Sequence, residues 1–265
     1  LKTSPLLLAQ LGTISIPTVR RILQRLDLGR PRLPRKGPTE ANQVAKRIPI
    51  GKIAWDEQQP GYFEADLVYH SGPSASGLHA HSLQMIDVAT GWSERVAVLG
   101  RSHLAMKDGF RRILTRLPFS VRHMHTDNGS EFLNDPLLSF WEGRSESISL
   151  SRGRPYQKND QPFVEQRNAT LIRAYLGYDR LDTVVQVQFM NLLYNKMWLF
   201  YNLFQPVLRL ADKTVVIDKK GRPRICRKYD EAQTPFDRLS KTGILSNGRR
   251  EQLEALRRRT NPREL

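Results

Sequence analysis

The sequence holds a single cysteine, Cys226, and no run of about 18 consecutive apolar residues. One thiol excludes a disulfide framework and any zinc module built on several cysteines, and it fits a reducing compartment. The missing apolar run excludes a membrane-spanning helix. The opening Leu1-Lys2-Thr3-Ser4-Pro5 is too short and too polar for a secretory leader. The chain does not open on methionine and is expected to be a fragment of a longer protein. No glycine-rich phosphate loop occurs, so nothing points to ATP or GTP.

What the chain has in abundance is positive charge. Its 265 residues carry 42 Lys/Arg against 26 Asp/Glu, a net +16, and 39% of them are apolar. That is enough for one sizeable core with small appendages. The charge is uneven: residues 1–50 hold 10 basic and 2 acidic residues, and residues 212–265 hold 15 and 8. Residues 51–211 are nearly balanced at 17 and 16. A neutral middle with two basic arms points to a polyanion, because clustered cations gain by releasing its condensed counterions. No amphipathic basic helix with a broad Trp/Phe/Leu face accompanies the arms, which favours nucleic acid over a membrane partner.

Punctuation divides the chain. Residues 1–28 read as two short helices around Gly12-Thr13. Ser15 is the cap and Pro17 the first turn of the second helix, with Val19, Ile22, Leu23 and Leu26 inward. Arg20 and Arg21 then face outward as candidate DNA contacts. The pattern resembles the remnant of a helix-turn-helix, whose second helix enters a major groove; a basic helical hairpin without groove contact is the alternative. Residues 29–59 read as a basic Pro-rich linker whose Arg30 and Arg32 suit a DNA backbone or minor groove. From 60 to 210 the periodicities become regular. Strands are expected at 62–70, 80–88, 92–99, 121–126 and 146–150. Helices are expected at 102–116, 135–142, 162–176 and 183–204. Three strands in a meander followed by alternating helix and strand describe an α/β domain with a mixed sheet. Residues 211–265 read as a basic hairpin (Thr214–Ile217 with Ile225–Tyr229) and a tail, disordered beyond Gly243.

Three carboxylates sit where a core should not have them. Asp66 interrupts an apolar strand on the face shared by Glu64 and Val68, which is costly unless it is paired, metal-bound or on an edge strand. Asp127 ends a strand in His125-Thr126-Asp127-Asn128-Gly129-Ser130, where turn chemistry alone accommodates it. Glu165 lies in the first turn of a helix, where the dipole favours a carboxylate. Taken together, two strand acids and one helix acid can converge at a sheet end and share a pair of divalent ions. Hard oxygen ligands indicate Mg²⁺, with Mn²⁺ able to substitute.

His125-Thr126-Asp127-Asn128-Gly129-Ser130-Glu131-Phe132 resembles the second-acid motif of retroviral integrases and bacterial insertion-sequence transposases of the DDE type. Pro155-Tyr156-Gln157-Lys158-Asn159-Asp160-Gln161-Pro162-Phe163-Val164-Glu165 resembles their segment around the final glutamate. Asp66 in Phe63-Glu64-Ala65-Asp66 fits the first acid, and the likeness covers about residues 60–205. The retroviral zinc-binding module is missing. Ala169 and Ile172 stand where retroviral enzymes often carry lysines, with Arg167 and Arg173 as substitutes or simply as a solvated helix face. The resemblance implies a ribonuclease-H-like mixed sheet flanked by helices, with Asp66, Asp127 and Glu165 as catalytic residues and ligands of two Mg²⁺. It implies nicking of element ends and joining of their 3′-hydroxyls to target DNA, by a homo-oligomer on double-stranded DNA in a bacterial nucleoid. Arg154, Tyr156, Lys158 and Gln161 in the loop before Glu165 are candidate DNA contacts; Tyr156 is suited to stacking on an unpaired base. The rivals are a catalytically silent, domesticated DNA-binding regulator of the same fold, and an RNA-hybrid nuclease, which explains the acids but not the basic arms. The pairs His79/His81 and His123/His125 read as strand faces rather than zinc ligands.

Overall fold

The computed structural model describes residues 4, 5, 9, 12–27, 40–144, 148–154, 160–217 and 221–265. It divides into two compact units, Leu1–Thr39 and Glu40–Leu265. In the first, α1 (Ile16–Asp27) starts at the expected punctuation: the Ser15 hydroxyl accepts the Thr18 amide at 3.4 Å. Val19 and Ile22, expected to pack inward, are instead 41% and 45% exposed. A short helix in so small a unit has little apolar surface to bury against.

The second unit begins inside the segment expected to be linker. Residues 40–47 form α2 (Glu40–Arg47). Val44 and Ile48 are buried in the main core, and Arg152 Nε donates to the carbonyls of Ala45 (2.8 Å) and Ile48 (3.1 Å). The apolar contact was legible only as two residues four apart, too short a pattern to declare a helix.

Strands β1 (Tyr62–Tyr69), β2 (Ala80–Asp87) and β3 (Ser93–Leu99) form the expected antiparallel meander. Strands β4 (His123–Thr126) and β5 (Ser149–Arg152) add in parallel on the far side of β1, giving the order β3-β2-β1-β4-β5. This is the mixed α/β sheet anticipated above. β1 is central, so Asp66 is not on an edge. The β2–β3 turn is fixed by Asp87, whose carboxylate accepts from the Gly61 amide, the Thr90 amide and the Thr90 hydroxyl. Gly91 there takes φ 77°, a conformation open to glycine. β5 begins later than the 146–150 expected, because its register follows His123–Thr126 and its last residue, Arg152, anchors the end of α2.

One face is covered by α3 (His103–Arg116), capped by Ser102, and α4 (Asp135–Glu142), capped by Asn134. Met106, Phe110 and Ile113 are fully buried there. The other face receives α5 (Pro162–Arg167), which widens into a π-helical segment (Asn168–Arg173) and closes as α6 (Ala174–Leu176). Then comes α7 (Val184–Leu199), started by a Thr183/Gln186 capping box. Leu171, Met190, Tyr194 and Met197 pack there on Ala80 and Ala97.

Beyond the core, β6 (Leu210–Ile217) and β7 (Pro223–Tyr229) form a hairpin in the region expected. The disorder expected beyond Gly243 is corrected. α8 (Pro235–Lys241) and α9 (Asn247–Arg259) bring Phe236, Leu239, Leu245 and Leu253 into the main core, and Arg257 bonds Asp237 at 2.7 Å. Four apolar side chains spread over 18 residues of basic sequence gave no visible period, yet they suffice once a surface is there to receive them. Among the described residues no helix is long and apolar enough to cross a membrane.

Candidate active site

Parallel pairing of β1 with β4 places Ala65 opposite Thr126. The next residue after each is an aspartate, so Asp66, within β1, and Asp127, the first residue past β4, stand side by side on one face. Asp66 Oδ1 accepts the Leu67 amide at 2.8 Å and Oδ2 accepts Asn168 Nδ2 at 2.6 Å. Asp127 Oδ1 accepts the Gly129 amide at 2.9 Å. Burial is the largest influence on both carboxyls and pushes both up, Asp127 to about 6. The hydrogen bonds just named oppose that rise. Negative neighbours add to it: Glu131 for Asp66, and Asp66 together with Glu131 for Asp127. The two aspartates are therefore electrostatically coupled, as a shared cation site requires.

The turn that carries Asp127 is latched twice. Asn128 Nδ2 donates to the Gly153 carbonyl (2.7 Å) and its Oδ1 accepts from Arg152 (2.8 Å), tying the end of β4 to the end of β5. Glu131 is buried; it accepts from the Tyr69 hydroxyl (2.7 Å) and from Arg101 (3.2 Å). A Cβ on Gly129 would stand 2.6 Å from Glu131 Oε1 and 2.9 Å from Asp127 Oδ1, so this glycine is what lets the two carboxylates crowd the turn. Neither latch was legible in the sequence beyond membership of the motif, since each depends on a partner at least 24 residues away.

Glu165 is held differently. Its helix is docked by Glu64, whose Oε2 accepts the amides of Phe163 and Val164, both at 2.9 Å. Glu64 is 1% exposed, and burial pushes its carboxyl up to about 8 against the pull of those two amides; Glu165 adds to the rise and Arg209 opposes it. Gln161 is buried and its side-chain nitrogen donates to the carbonyls of Ala65 (3.2 Å) and His125 (3.1 Å). It thus spans the two strands just before the aspartates, a different job from the DNA contact expected of it. Asn168, at the start of the π-helical segment, closes the arrangement through Asp66; such widened turns gather at functional sites. Glu165 itself is exposed.

Of the other candidates, Arg154 is exposed but pairs with Asp160 at 2.6 Å, and this pair lies across the base of the loop. Arg154 holds the Asp160 carboxyl down to about 2. Arg20 and Arg21 are exposed on α1. Arg30, Arg32, Tyr156 and Lys158 lie outside the described residues. Arg173 is engaged with the carbonyls of Tyr69 and Gly177. Of the histidine pairs, His123 bonds the Ser149 and Ser151 hydroxyls, His125 bonds Ser151, and His79, just before β2, stacks on His81.

The donor set of Asp66 and Asp127 fits a hard divalent cation, since their charges repel at close quarters and only oxygens are offered. Among the described residues no group of three His, Cys, Asp or Glu side chains is arranged to hold a metal ion. Two acids come from register within one sheet, whereas the third depends on a helix that Asn168 ties to Asp66 through an oxygen a cation would otherwise take.

No family model matches the chain. It is 31% identical over 230 residues to an uncharacterized protein, y4rM, of Sinorhizobium fredii (strain NBRC 101917 / NGR234); the match covers 86% of this chain and 64% of that protein. The chain thus spans less than two thirds of that relative. Solved structures with a similar fold include the catalytic core of BIV integrase (TM-score 0.39, 17% identity, 55% of this chain and 85% of that one). They also include the HTLV-2 integrase catalytic core in complex with magnesium, in a dimeric form (0.40, 18%, 56% and 90%). A chain of the simian T-cell lymphotropic virus intasome, in complex with PP2A regulatory subunit B56 gamma, scores 0.45 at 13% identity over 70% of this chain and 72% of that one. At these identities the likeness is one of fold alone.

Proposed function

We propose that the chain is a DNA transposase or integrase of the DDE type, which nicks element ends and joins the freed 3′-hydroxyls to target DNA. The observation that carries this reading is the placement of Asp66, within β1, beside Asp127, the first residue past the parallel strand β4, with their carboxyls coupled and raised. Water attacks phosphorus and the bond to the 3′-oxygen breaks, leaving a 3′-hydroxyl on the element end. That hydroxyl then attacks a target phosphodiester, forming one P–O bond and releasing one target 3′-hydroxyl. Both are in-line displacements, so a single site serves both. Asp66, Asp127 and, once brought in, Glu165 would hold two Mg²⁺ (or Mn²⁺), which supply activation of the attacking oxygen and charge stabilisation at phosphorus. The chain's own residues hold the acids: Asn128 and Glu131 brace the Asp127 turn, and Glu64, Gln161 and Asn168 set the helix of Glu165. Arg20, Arg21, Arg30, Arg32, Arg154, Tyr156 and Lys158 are assigned to the DNA. The partner is double-stranded DNA, bound by a homo-oligomer in the bacterial nucleoid.

A silent DNA-binding regulator of the same fold is the second reading, since the basic residues of 1–50 and 212–265 suit DNA binding without catalysis. One assay decides. The full chain is incubated with Mg²⁺ and DNA from the ends of its element, or with an RNA–DNA hybrid. Nicking and joining of the DNA, falling about a thousandfold in Asp127→Asn with binding retained, supports the transferase. Binding without any nicking supports the regulator. Preference for the hybrid supports the nuclease.

A further inference from the structure

A groove of about 600 Å³ opens between α5 and the β6–β7 hairpin. Phe163, Gln166 and Arg167 form one wall, while Asn168 of the next turn is bonded to Asp66, so α5 separates this groove from the aspartates. Lys213, Ile225, Arg227 and Tyr229 form the other wall; Lys213 pairs with Arg227 and Val215 with Ile225, which puts them on one face of the hairpin. Trp55, Lys52 and Arg209 complete the lining, and the Arg209 guanidinium lies over the Phe163 ring at 5.1 Å.

Two features of this groove ask for an occupant. Its five cations face one acid, Asp160, which Arg154 already neutralises. The hairpin also leaves Ile225 and Tyr229 about half exposed, and a two-stranded ribbon is marginal without a surface to lie on. A second copy of this chain, at +16, would be repelled by such a lining. Cations interleaved with exposed aromatic faces are instead the pattern that holds unpaired nucleic acid, with phosphates on the cations and bases stacked on the rings. A duplex offers no free base face to Tyr229, the exposed ring of this lining.

We infer that the groove between α5 and the β6–β7 hairpin binds an unpaired stretch of DNA, with phosphates on Arg167, Lys213 and Arg227 and a base stacked on Tyr229. This rests on the DNA reading above and adds to it a substrate class: ends that carry or acquire a single-stranded segment. It assigns the basic hairpin a task distinct from that of the acids.

The test is fluorescence anisotropy of the full chain against oligo-dT, a blunt duplex and the same duplex with an unpaired tail, across a salt series. The tailed duplex is expected to bind more tightly than the blunt one. In Lys213→Ala/Arg227→Ala, affinity for oligo-dT and for the tail falls about tenfold, and the slope of log affinity against log salt becomes shallower by about 1.4, two single-strand phosphates' worth. The blunt duplex is little affected. Tyr229→Ala weakens tail binding without changing the slope or the blunt-duplex affinity, and Tyr229→Phe restores it; a merely folded-state role would weaken tailed and blunt binding alike. Equal losses on blunt and tailed DNA, no loss at all, or displacement of oligo-dT by polyglutamate at matched charge would each overturn the inference. Asp127→Asn keeps the tail preference. A chain that prefers tails but never nicks therefore refutes the transferase and leaves the groove standing, and a chain that nicks without preferring tails does the reverse.

Discussion

In the proposed site the two aspartates and the glutamate have very different supports. Asp66 and Asp127 stand on adjacent strands of a five-stranded sheet, where a parallel register fixes their separation and burial raises both carboxyls. Glu165 stands exposed on a helix that is docked at three points, by Glu64, Gln161 and Asn168, and preceded by residues 155–159, outside the described set. A sheet holds its residues to its own geometry; a helix can be moved as a body by changing the few contacts that dock it. On the proposed reading the sheet sets the strand half, and the helix half is where substrate would have leverage.

The sharpest way to break this contrast is to remove one acid from each half and measure two quantities. Asp127→Asn is expected to lose both strand transfer, about a thousandfold, and Mn²⁺ binding to the DNA-free protein. Glu165→Gln is expected to lose transfer equally while leaving Mn²⁺ binding, followed by calorimetry, nearly unchanged. Equal losses of Mn²⁺ binding in the two variants would show Glu165 already in place.

Next in size is the docking of the helix. Glu64→Ala leaves two amides without their acceptor and should cost about 2–5 kcal/mol in urea unfolding. Glu64→Gln keeps an acceptor and tests the charge instead. With its carboxyl raised from 4.5 to about 8, the folded state holds a proton the unfolded state has lost. The stability this contributes is present below about 4.5 and is lost as pH rises toward about 8, with a slope of at most ~1.4 kcal/mol per pH unit. The glutamine variant should flatten that slope; an unchanged slope would mean the carboxylate is ionised throughout.

Asn168 links the halves, so it yields a smaller effect with a clear signature. Asn168→Ala should slow transfer roughly ten- to a hundredfold with DNA affinity unchanged, since positioning acts on the reaction. Asn168→Asp, which sets a like charge against Asp66, should be worse. An alanine variant as active as the parent would cut the link between the two halves.

The smallest effect lies within the strand half. The Asp127 carboxyl should titrate by NMR near 6, and in Asp66→Asn its midpoint should fall without returning to 3.8, because burial, the larger cause, remains. A midpoint that stays or rises would mean the two side chains do not feel each other.

Much of this was legible in the chain. Alternation placed β1 to β3 within a residue or two, and Ser102, Pro162 and Thr183 marked the helix starts. Asp66 stood out because a carboxylate inside an apolar strand contradicts its surroundings, and Asp127 because of its motif. The bonds of Gln161 were not legible: a polar residue in a polar loop carries no sign that its amide will bridge two strand carbonyls. Residues 40–47 and 247–259 were misread for a related reason, as helices short or charged enough that only a receiving surface makes them fold.

The sequence by itself determined the mixed α/β sheet, the two strand acids, the neutral core between basic arms and the candidate chemistry, because periodicity, charge and a compact motif are local properties of the chain. The tertiary structure alone decided the rest. It gave Glu64 to the helix rather than to the site, gave Glu131 to Tyr69 and Arg101, gave Asn168 to Asp66, and set a basic hairpin across from α5 as the wall of a groove. Each of those contacts joins residues about 30 to 100 positions apart. Their energies come from burial and hydrogen-bond geometry that exist only once the strands have paired.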